Sequence, residues 1–204
     1  MNINIRKAQP DDVRFVIPMI YSSGPHEFDY VLNAGNKTAH DYLSFAFPTK
    51  LGAQCHRVFT VATIHDQVVG VAAFYSGLDY SRLNLEGAWN VLRFYGLRNT
   101  IKIGQRSEQL ETIIPRPEAD AGFINQVGVR EEFRSSGVGT ALIQHLTEHA
   151  RKIELRKCVL DVAMTNPRAQ ALYERLMFKV VQENPWKHLH VADVPGQRRM
   201  ALEL

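Results

Sequence analysis

The second half of the chain alternates apolar runs with amphipathic segments, and this alternation restricts the possible folds more than any other feature. Four apolar runs predict strands, at 123–129, 158–163, 178–181 and about 199–202. Between them, 138–153 and 167–177 place apolar residues on one face of a helix. Strands that alternate with helices predict an α/β fold in which helices pack on the faces of a sheet.

The first half of the chain predicts a short strand followed by helices. Ile3 and Ile5 alternate with asparagines, which indicates a strand. Asp11 and Asp12 are expected to cap a helix that ends at about Tyr21. Two further helices are expected to begin near positions 25 and 38.

A hairpin and a helical insert are predicted in the middle of the chain. The runs 57–64 and 68–75 are rich in β-branched and aromatic residues, and their short separation predicts an antiparallel pair. Residues 81–118 predict one or two helices inserted between the third and fourth strands. This apolar and aromatic insert needs a surface to pack on, and three roles stay open: core, lid over a site, or dimer contact.

Composition limits the class of protein. The 204 residues are 45% hydrophobic and 22% charged, so one globular domain over 1–204 is expected. Cys55 and Cys158 have no metal-ligand spacing, and Cys158 starts an apolar strand, so a reducing cytoplasmic setting without a metal or a cysteine nucleophile is expected. No run reaches transmembrane length, and a net charge of +3 is too mild to indicate nucleic acid.

A glycine-containing turn between strand and helix is the candidate binding motif. Arg134-Ser-Ser-Gly137-Val-Gly139 opens the helix, and free N–H groups at a helix start favour an anion such as phosphate. A P-loop would need a lysine after Gly139, and a dinucleotide fingerprint would need three glycines directly after the strand. Both fit poorly, and an ordinary glycine-rich helix start stays possible.

The segment from Val129 to Thr140 resembles the pyrophosphate-binding signature of the GNAT superfamily of N-acetyltransferases, whose Gln/Arg-x-x-Gly-x-Gly/Ala pattern it satisfies. The resemblance implies a mixed, largely antiparallel twisted sheet of six to seven strands flanked by helices, with a CoA-binding core at about 121–183. It also implies that acetyl-CoA, as co-substrate, is held by these residues: Val127, Gly128, Val129, Arg134, Ser135, Ser136, Gly137, Val138, Gly139 and Thr140.

A second segment, from Asn166 to Phe178, supports the same resemblance. Asn166 is a good N-cap and Pro167 suits the first helical position. By the resemblance, Asn166 and Ala169 border the pantetheine, and Tyr173 lies near the sulfur as a general acid for the leaving thiolate. A plain core role for Tyr173 stays open, and Met177 replaces the family's glycine.

The resemblance implies direct transfer of an acetyl group to a primary amine in a ternary complex, with the N–H of Val127 as an oxyanion donor. The amine belongs to a small molecule, a protein or a peptide, and a homodimer is possible. Phe123, Asn125 and Val127 are expected on one face of their strand, where Asn125 could orient a water.

No general base is assigned from the sequence. Glu27 is an acceptor-site candidate with Asn125. The other conceivable bases are Glu86, Glu108, Glu111, His188 and His190. Two alternatives to catalysis stay open: a CoA-binding sensor or interaction module of the same fold, and an unrelated phosphate-binding α/β protein.

Overall fold

The computed structural model describes residues 2–187 and 192–204. Its strands are β1 (Asn4–Lys7), β2 (Phe59–Ile64), β3 (Gln67–Ser76), β4 (Ala121–Val129), β5 (Lys157–Ala163), β6 (Lys179–Asn184) and β7 (Gln197–Glu203). Its α-helices are α1 (Val13–Ser22), α2 (Pro25–Leu32), α3 (Ala39–Ala46), α4 (Gly77–Tyr95), α5 (Leu97–Leu110), α6 (Val138–Lys152) and α7 (Pro167–Arg175). Short 3-10 helices lie at Pro10–Asp12, His56–Val58 and Glu131–Phe133.

The seven described strands form one sheet in the order β1-β2-β3-β4-β5-β7-β6. Only the central β4–β5 pair is parallel among the described strands. That pair is short, because β5 contacts β4 only over Ala121–Phe123. The predicted mixed, largely antiparallel sheet is confirmed, and its central strands separate beyond Phe123.

The predicted hairpin is formed by β2 and β3. His65 and Asp66 connect the strands, and both have left-handed backbone conformations, with φ of 48° and 62°. Two consecutive left-handed residues match the turn whose twist suits a two-residue hairpin.

Helices cover both faces of the sheet. On one face, α1 packs on β3 and β4 around a cluster that contains Phe59 and Phe123. On the other face, α6 packs on the same strands through Leu142 and Leu146. Full burial of such a side chain stabilises the fold by about 1.5–3 kcal/mol, so these two layers fix the position of β4.

The predicted insert between the third and fourth strands is confirmed as the helix pair α4 and α5. It begins at Gly77, earlier than the sequence indicated, since Ser76 Oγ accepts a hydrogen bond from the N–H of Asp79. The pair packs on α2 and α3 around a third apolar cluster. Its outer face leaves five large apolar side chains exposed: Leu78, Leu85, Trp89, Leu97 and Ile101.

The prediction that Asp11 and Asp12 cap the first helix is wrong. Asp12 accepts the backbone N–H of Gln9 at 2.8 Å and pairs with both terminal guanidinium nitrogens of Arg6 at 2.7 and 2.8 Å. Neither Asp11 nor Asp12 makes a side-chain cap to α1. Asp12 instead closes the 3-10 turn and joins it to β1.

Met177, which stands where the family pattern has a glycine, lies in the turn between α7 and β6. Its φ is 67°, and its side chain is exposed. A left-handed methionine costs about 1–2 kcal/mol, and the turn still leads α7 into β6. Within the described residues, no helix is both long and apolar enough to cross a membrane.

Candidate functional site

A bulge in β4 lies at the point where β4 and β5 separate. Gln126 has a φ of 52°, and the β3–β4 register shifts between the pairs Ala73–Asn125 and Val71–Gly128. An extra residue reverses the side-chain alternation that follows it. Val127 therefore packs with the α6 layer, whereas Phe123 lies in the α1 layer. The prediction that Asn125 and Val127 share one face is wrong.

The bulged half of β4 has a free edge toward β5. Beyond Phe123 the described pairs of β4 are with β3 alone, since β5 pairs only over Ala121–Phe123. This edge forms a wall of the cleft between the two strands. Its backbone groups can bond to an extended ligand that lies beside the strand.

The glycine turn lies at the start of α6. Ser135 and Gly137 have left-handed φ values of 64° and 89°. Ala141 makes the first bond of the helix, to the carbonyl of Gly137 at 2.9 Å, so the N–H groups of the three preceding residues are outside the helical ladder. A Cβ on Gly137 would contact nothing within 4 Å, which leaves this turn open.

Two arginines lie beside the turn. Arg134 is exposed, and its guanidinium lies 4.0 Å from the carboxylate of Glu131, a long distance for an ion pair. The pairing between them is therefore weak. Arg168, in the first turn of α7, donates a hydrogen bond to Ser135 Oγ at 2.8 Å. The sequence reasoning did not assign Arg168, although its place after Asn166-Pro167 in the second motif could have indicated it.

One cavity of about 1160 Å³ contains most of the predicted site. The predicted residues on its wall are Val127, Gly128, Val129, Arg134, Ser135, Gly137, Val138, Gly139, Thr140, Asn166, Ala169, Tyr173, Glu27 and Asn125. Ser136 is not on the wall, and its hydroxyl donates to the carbonyl of Phe133. The structure thus brings together segments that are far apart in the chain.

Helix α7 carries Tyr173 into the cavity. Asn166 Oδ1 accepts the N–H of Ala169 at 3.0 Å, which fixes the start of the helix as a side-chain cap. Tyr173 is 8% exposed and borders the cavity, and its hydroxyl has no hydrogen-bond partner in the described part of the chain. Burial raises the pKa of Tyr173 to about 12. The phenol therefore stays protonated at neutral pH and can donate a proton.

Glu27 is half-buried on the same cavity wall. Its Oε1 accepts a hydrogen bond from Gln197 Nε2 at 2.6 Å, across 170 positions of the sequence. Burial raises the pKa of Glu27, and the bond from Gln197 opposes this shift. A carboxylate with a raised pKa is a better proton acceptor than an ordinary one.

The other predicted bases have structural partners or lie elsewhere. Glu86 accepts from the N–H of Gly52 at 2.9 Å and pairs with an arginine, and Glu111 accepts from Tyr80 at 2.9 Å. Glu108 lies on the cavity wall and is exposed. Residues 188 and 190, the two candidate histidines, lie outside the described residues.

Asn125 lies beside the bulge. Its Oδ1 accepts the N–H of Gln126 at 2.8 Å, and its side chain also bonds to Tyr75. The neighbouring Gln126 Oε1 is buried without a partner in the described part of the chain, and Gln126 borders the cavity. The sequence analysis did not assign this free acceptor.

A buried ion pair lies at the cavity wall, which Asp161 itself lines. Arg199 and Asp161 have side chains that are 10% and 4% exposed, and they meet through two bonds of 3.0 and 2.7 Å. Arg199 also donates to the carbonyls of Pro115 and Arg116. The pair thus joins β5 and β7 to the end of the helical insert, a connection that no sequence motif indicated.

Cys158 is buried in the core, as predicted, and burial raises the pKa of its thiol to about 12. A thiol with that pKa is almost entirely protonated at neutral pH and is a poor nucleophile. Residues 2–187 and 192–204 contain no cluster of three or more His, Cys, Asp or Glu suited to a metal ion.

Comparisons with known proteins identify the family and the fold. The family model described as Acetyltransferase (GNAT) family matches residues 28–178. The N-acetyltransferase from Staphylococcus aureus Mu50 is similar in structure, with a TM-score of 0.72, 17% sequence identity, and coverage of 98% of this chain and 100% of that chain. No curated protein matches the sequence.

Two further structures share the fold. A GCN5-related N-acetyltransferase from Kribbella flavida has a TM-score of 0.58 and 21% identity, over 99% of this chain and 98% of that chain. Rv2747 from Mycobacterium tuberculosis, in complex with CoA and NLQ, has a TM-score of 0.54 and 16% identity, over 98% of this chain and 99% of that chain. At these identities the likeness shows the fold alone.

Proposed function

This chain belongs to the acetyltransferase (GNAT) family, and we propose that it transfers the acetyl group of acetyl-CoA directly to a primary amine within a ternary complex. One observation carries the proposal. A single cavity contains the open turn at the start of α6, the free edge of β4, a protonated phenol at Tyr173 and a half-buried carboxylate at Glu27. These are the groups that thioester aminolysis needs.

The residues at the turn fit the diphosphate of acetyl-CoA. Free N–H groups at the start of α6 point out of the helix, and no side chain occupies the space beside Gly137. Arg134 and Arg168 supply positive charge next to these groups. The pantetheine amides then have the free edge of β4 within the same cavity, together with the unpaired Gln126 Oε1.

The chemistry follows from the protonation states of two residues. Glu27 takes one proton from the ammonium group of the acceptor, and the nitrogen lone pair attacks the thioester carbonyl carbon. The N–H of Val127 stabilises the oxyanion of the tetrahedral intermediate. The carbon–sulfur bond then breaks, Tyr173 gives a proton to the thiolate, and the second nitrogen proton restores the phenol. The products are an N-substituted acetamide, CoA thiol and one released proton.

The acceptor, a small-molecule, protein or peptide amine, and the cytoplasmic setting stay proposals. A homodimer also stays a prediction, for which the exposed apolar face of the insert is a candidate contact.

The test measures CoA binding by calorimetry and thiol release from acetyl-CoA with a panel of primary amines. Gly137→Glu should weaken CoA binding at least about 100-fold, because a carboxylate would enter the diphosphate site. Gly137→Ala is the matched control, since it introduces the same left-handed strain without the charge. Equal CoA affinity in both variants would refute the assignment of the turn.

The same measurements separate the alternatives. CoA binding without turnover of any amine would favour a sensor or interaction module. Thermal stabilisation by ATP or NAD equal to that by CoA would indicate an unrelated phosphate-binding protein.

A further inference from the structure

The cavity continues away from the CoA-binding turn into the layer of helices that holds the insert. We call this part the acceptor arm and define it by its walls: Phe28 and Val31 of α2, Leu83 and Gly87 of α4, and Ile103 and Gly104 of α5. Thr100 and Ser107 of α5 also border it and are seven residues apart, so the arm follows about 10 Å of that helix.

Small residues keep the acceptor arm open. Gly87 and Gly104 lie inside helices, where glycine costs about 1 kcal/mol relative to alanine. Neither glycine is required by packing, because a Cβ at either position would contact nothing within 4 Å. Both glycines border the cavity, and the space next to each is open.

The inner surface of the acceptor arm is apolar, and polar residues such as Thr100 and Ser107 also border it. Val31, Leu83 and Ile103 are at least nine-tenths buried and form its inner surface. Glu108 is the charged wall residue of α5, and Arg116, a cationic wall residue that follows α5, is paired with Glu111 at 3.0 Å. In the described part of the wall, this end of the cavity therefore offers no unpaired cation to a carboxylate or phosphate.

Two polar groups without a partner among the described residues border the acceptor arm. Tyr42 of α3 is 3% exposed and borders the cavity, and its hydroxyl has no hydrogen-bond partner among the described residues. Gln54 Oε1 is also buried on this wall without a partner in the described part of the chain. Buried polar groups normally have partners, so the buried Gln54 Oε1 indicates a ligand that donates to it, and the Tyr42 hydroxyl on the same wall can bond to a polar group of that ligand.

We propose that the acceptor arm binds the apolar body of the acceptor, and that the acceptor is an amphipathic primary amine. Its ammonium group meets Glu27, its alkyl or aryl body fills the space beside Gly87 and Gly104, and a single polar group on that body bonds to Tyr42. This proposal rests on the proposed acetyl transfer. It predicts that free amino acids are poor acceptors, because the described wall of the arm has no unpaired cation for their carboxylate. It predicts that polyamines are poor acceptors, because their further ammonium groups would lie against the apolar inner surface formed by Val31, Leu83 and Ile103.

The first experiment measures kcat/KM for propylamine, octylamine, phenethylamine, tyramine, spermidine and lysine. Each methylene that enters the arm should raise kcat/KM about threefold to fourfold, so octylamine should exceed propylamine by at least 100-fold. Tyramine should exceed phenethylamine in the wild type, and Tyr42→Phe should remove that advantage. A preference for spermidine or lysine, or equal values for propylamine and octylamine, would overturn the proposal.

Gly104→Leu tests the arm itself. The leucine side chain would occupy the free volume, so the preference for octylamine over propylamine should fall at least tenfold. Gln105→Leu is the matched control, because this exposed neighbour lies outside the cavity wall and should retain the wild-type preference. Loss of the preference in both variants, or in neither, contradicts the proposal.

Calorimetry of octylamine binding to the CoA complex provides a measurement that does not depend on turnover. Wild type should bind octylamine at least tenfold more tightly than Gly104→Leu does. If no amine is acetylated but this difference in affinity is present, the result supports the proposed acceptor arm and refutes the proposed acetyl transfer. If amines are acetylated but wild type and Gly104→Leu bind octylamine equally well, the result supports the proposed acetyl transfer and refutes the proposed acceptor arm.

Discussion

Replacement of Tyr173 by phenylalanine tests the catalytic assignment, because the structure predicts a loss of rate without a loss of stability. The hydroxyl has no hydrogen-bond partner in the described part of the chain, so its removal leaves no orphaned group. The phenylalanine ring can keep the contact with Phe178, whose centroid is 6.3 Å away. The free energy of unfolding should therefore change by less than about 0.5 kcal/mol.

The expected rate loss follows from the leaving group. General acids contribute about 10²–10⁴-fold, and a thiolate, whose parent thiol has a pKa near 8.5, leaves more easily than most groups. The low end applies, so kcat should fall about 100-fold, which corresponds to about 2.7 kcal/mol. Because the pKa of Tyr173 is about 12, the wild-type rate should show no falling limb up to about pH 10.

Tyr95→Phe is the matched control. Tyr95 is also buried, but its hydroxyl donates to the carbonyl of Leu32 at 2.6 Å. Its removal should cost about 1–3 kcal/mol, which lowers Tm by roughly 3–10 °C in a chain of this size, and should leave thiol release intact. The assays are thiol release from acetyl-CoA and thermal unfolding. Unchanged turnover in Tyr173→Phe, or a Tm loss equal to that of Tyr95→Phe, would refute the general-acid role.

Two further predictions concern the cavity wall. Glu27→Gln should lower kcat/KM by about 10²-fold or more and remove the rise of the rate with pH, because only the ionised carboxylate accepts the proton. Burial raises the folded-state pKa of Glu27 above its unfolded value, so the stability from protonation is full below the unfolded pKa and is lost as pH rises through the folded pKa. The glutamine variant should therefore be at least as stable at neutral pH, and calorimetry across pH checks this. Asp161→Asn leaves Arg199 charged and unpaired and should cost about 3–5 kcal/mol, or roughly 10 °C in Tm. The double variant Asp161→Leu/Arg199→Met should recover most of that loss, and equal Tm values for the single and double variants would contradict this account.

The turn and the two helices of the proposed CoA-binding core were predictable because their signals are local. Gly137 and Gly139 indicate an open helix start within about ten residues of the end of the preceding strand. Asn166 and Pro167 define the beginning of α7 in the same way, and the helical spacing then places Tyr173 on the buried side. Each inference needed only a short window of sequence, in which backbone conformation dominates.

Two predictions were wrong, and each concerns a residue whose role depends on a neighbouring strand. The bulge at Gln126 reverses the faces of the residues that follow it, and a period of two in the sequence gives no sign of an extra residue. Asp12 looked like a helix cap, but Arg6 on the neighbouring strand β1 pairs with it. Both outcomes depend on the strand or turn that each residue contacts.

The amino-acid pattern was enough to predict six to seven strands, most of the helices between them and the turn that resembles a diphosphate site, because hydrophobic periodicity and capping act over a few residues. Tertiary structure alone decided that β4 and β5 separate, that Glu27 meets Gln197, and that α2, α4 and α5 leave an open arm beside Tyr42. These contacts join segments up to 170 positions apart. They depend on how whole layers pack, and packing of that range leaves no local pattern in the chain.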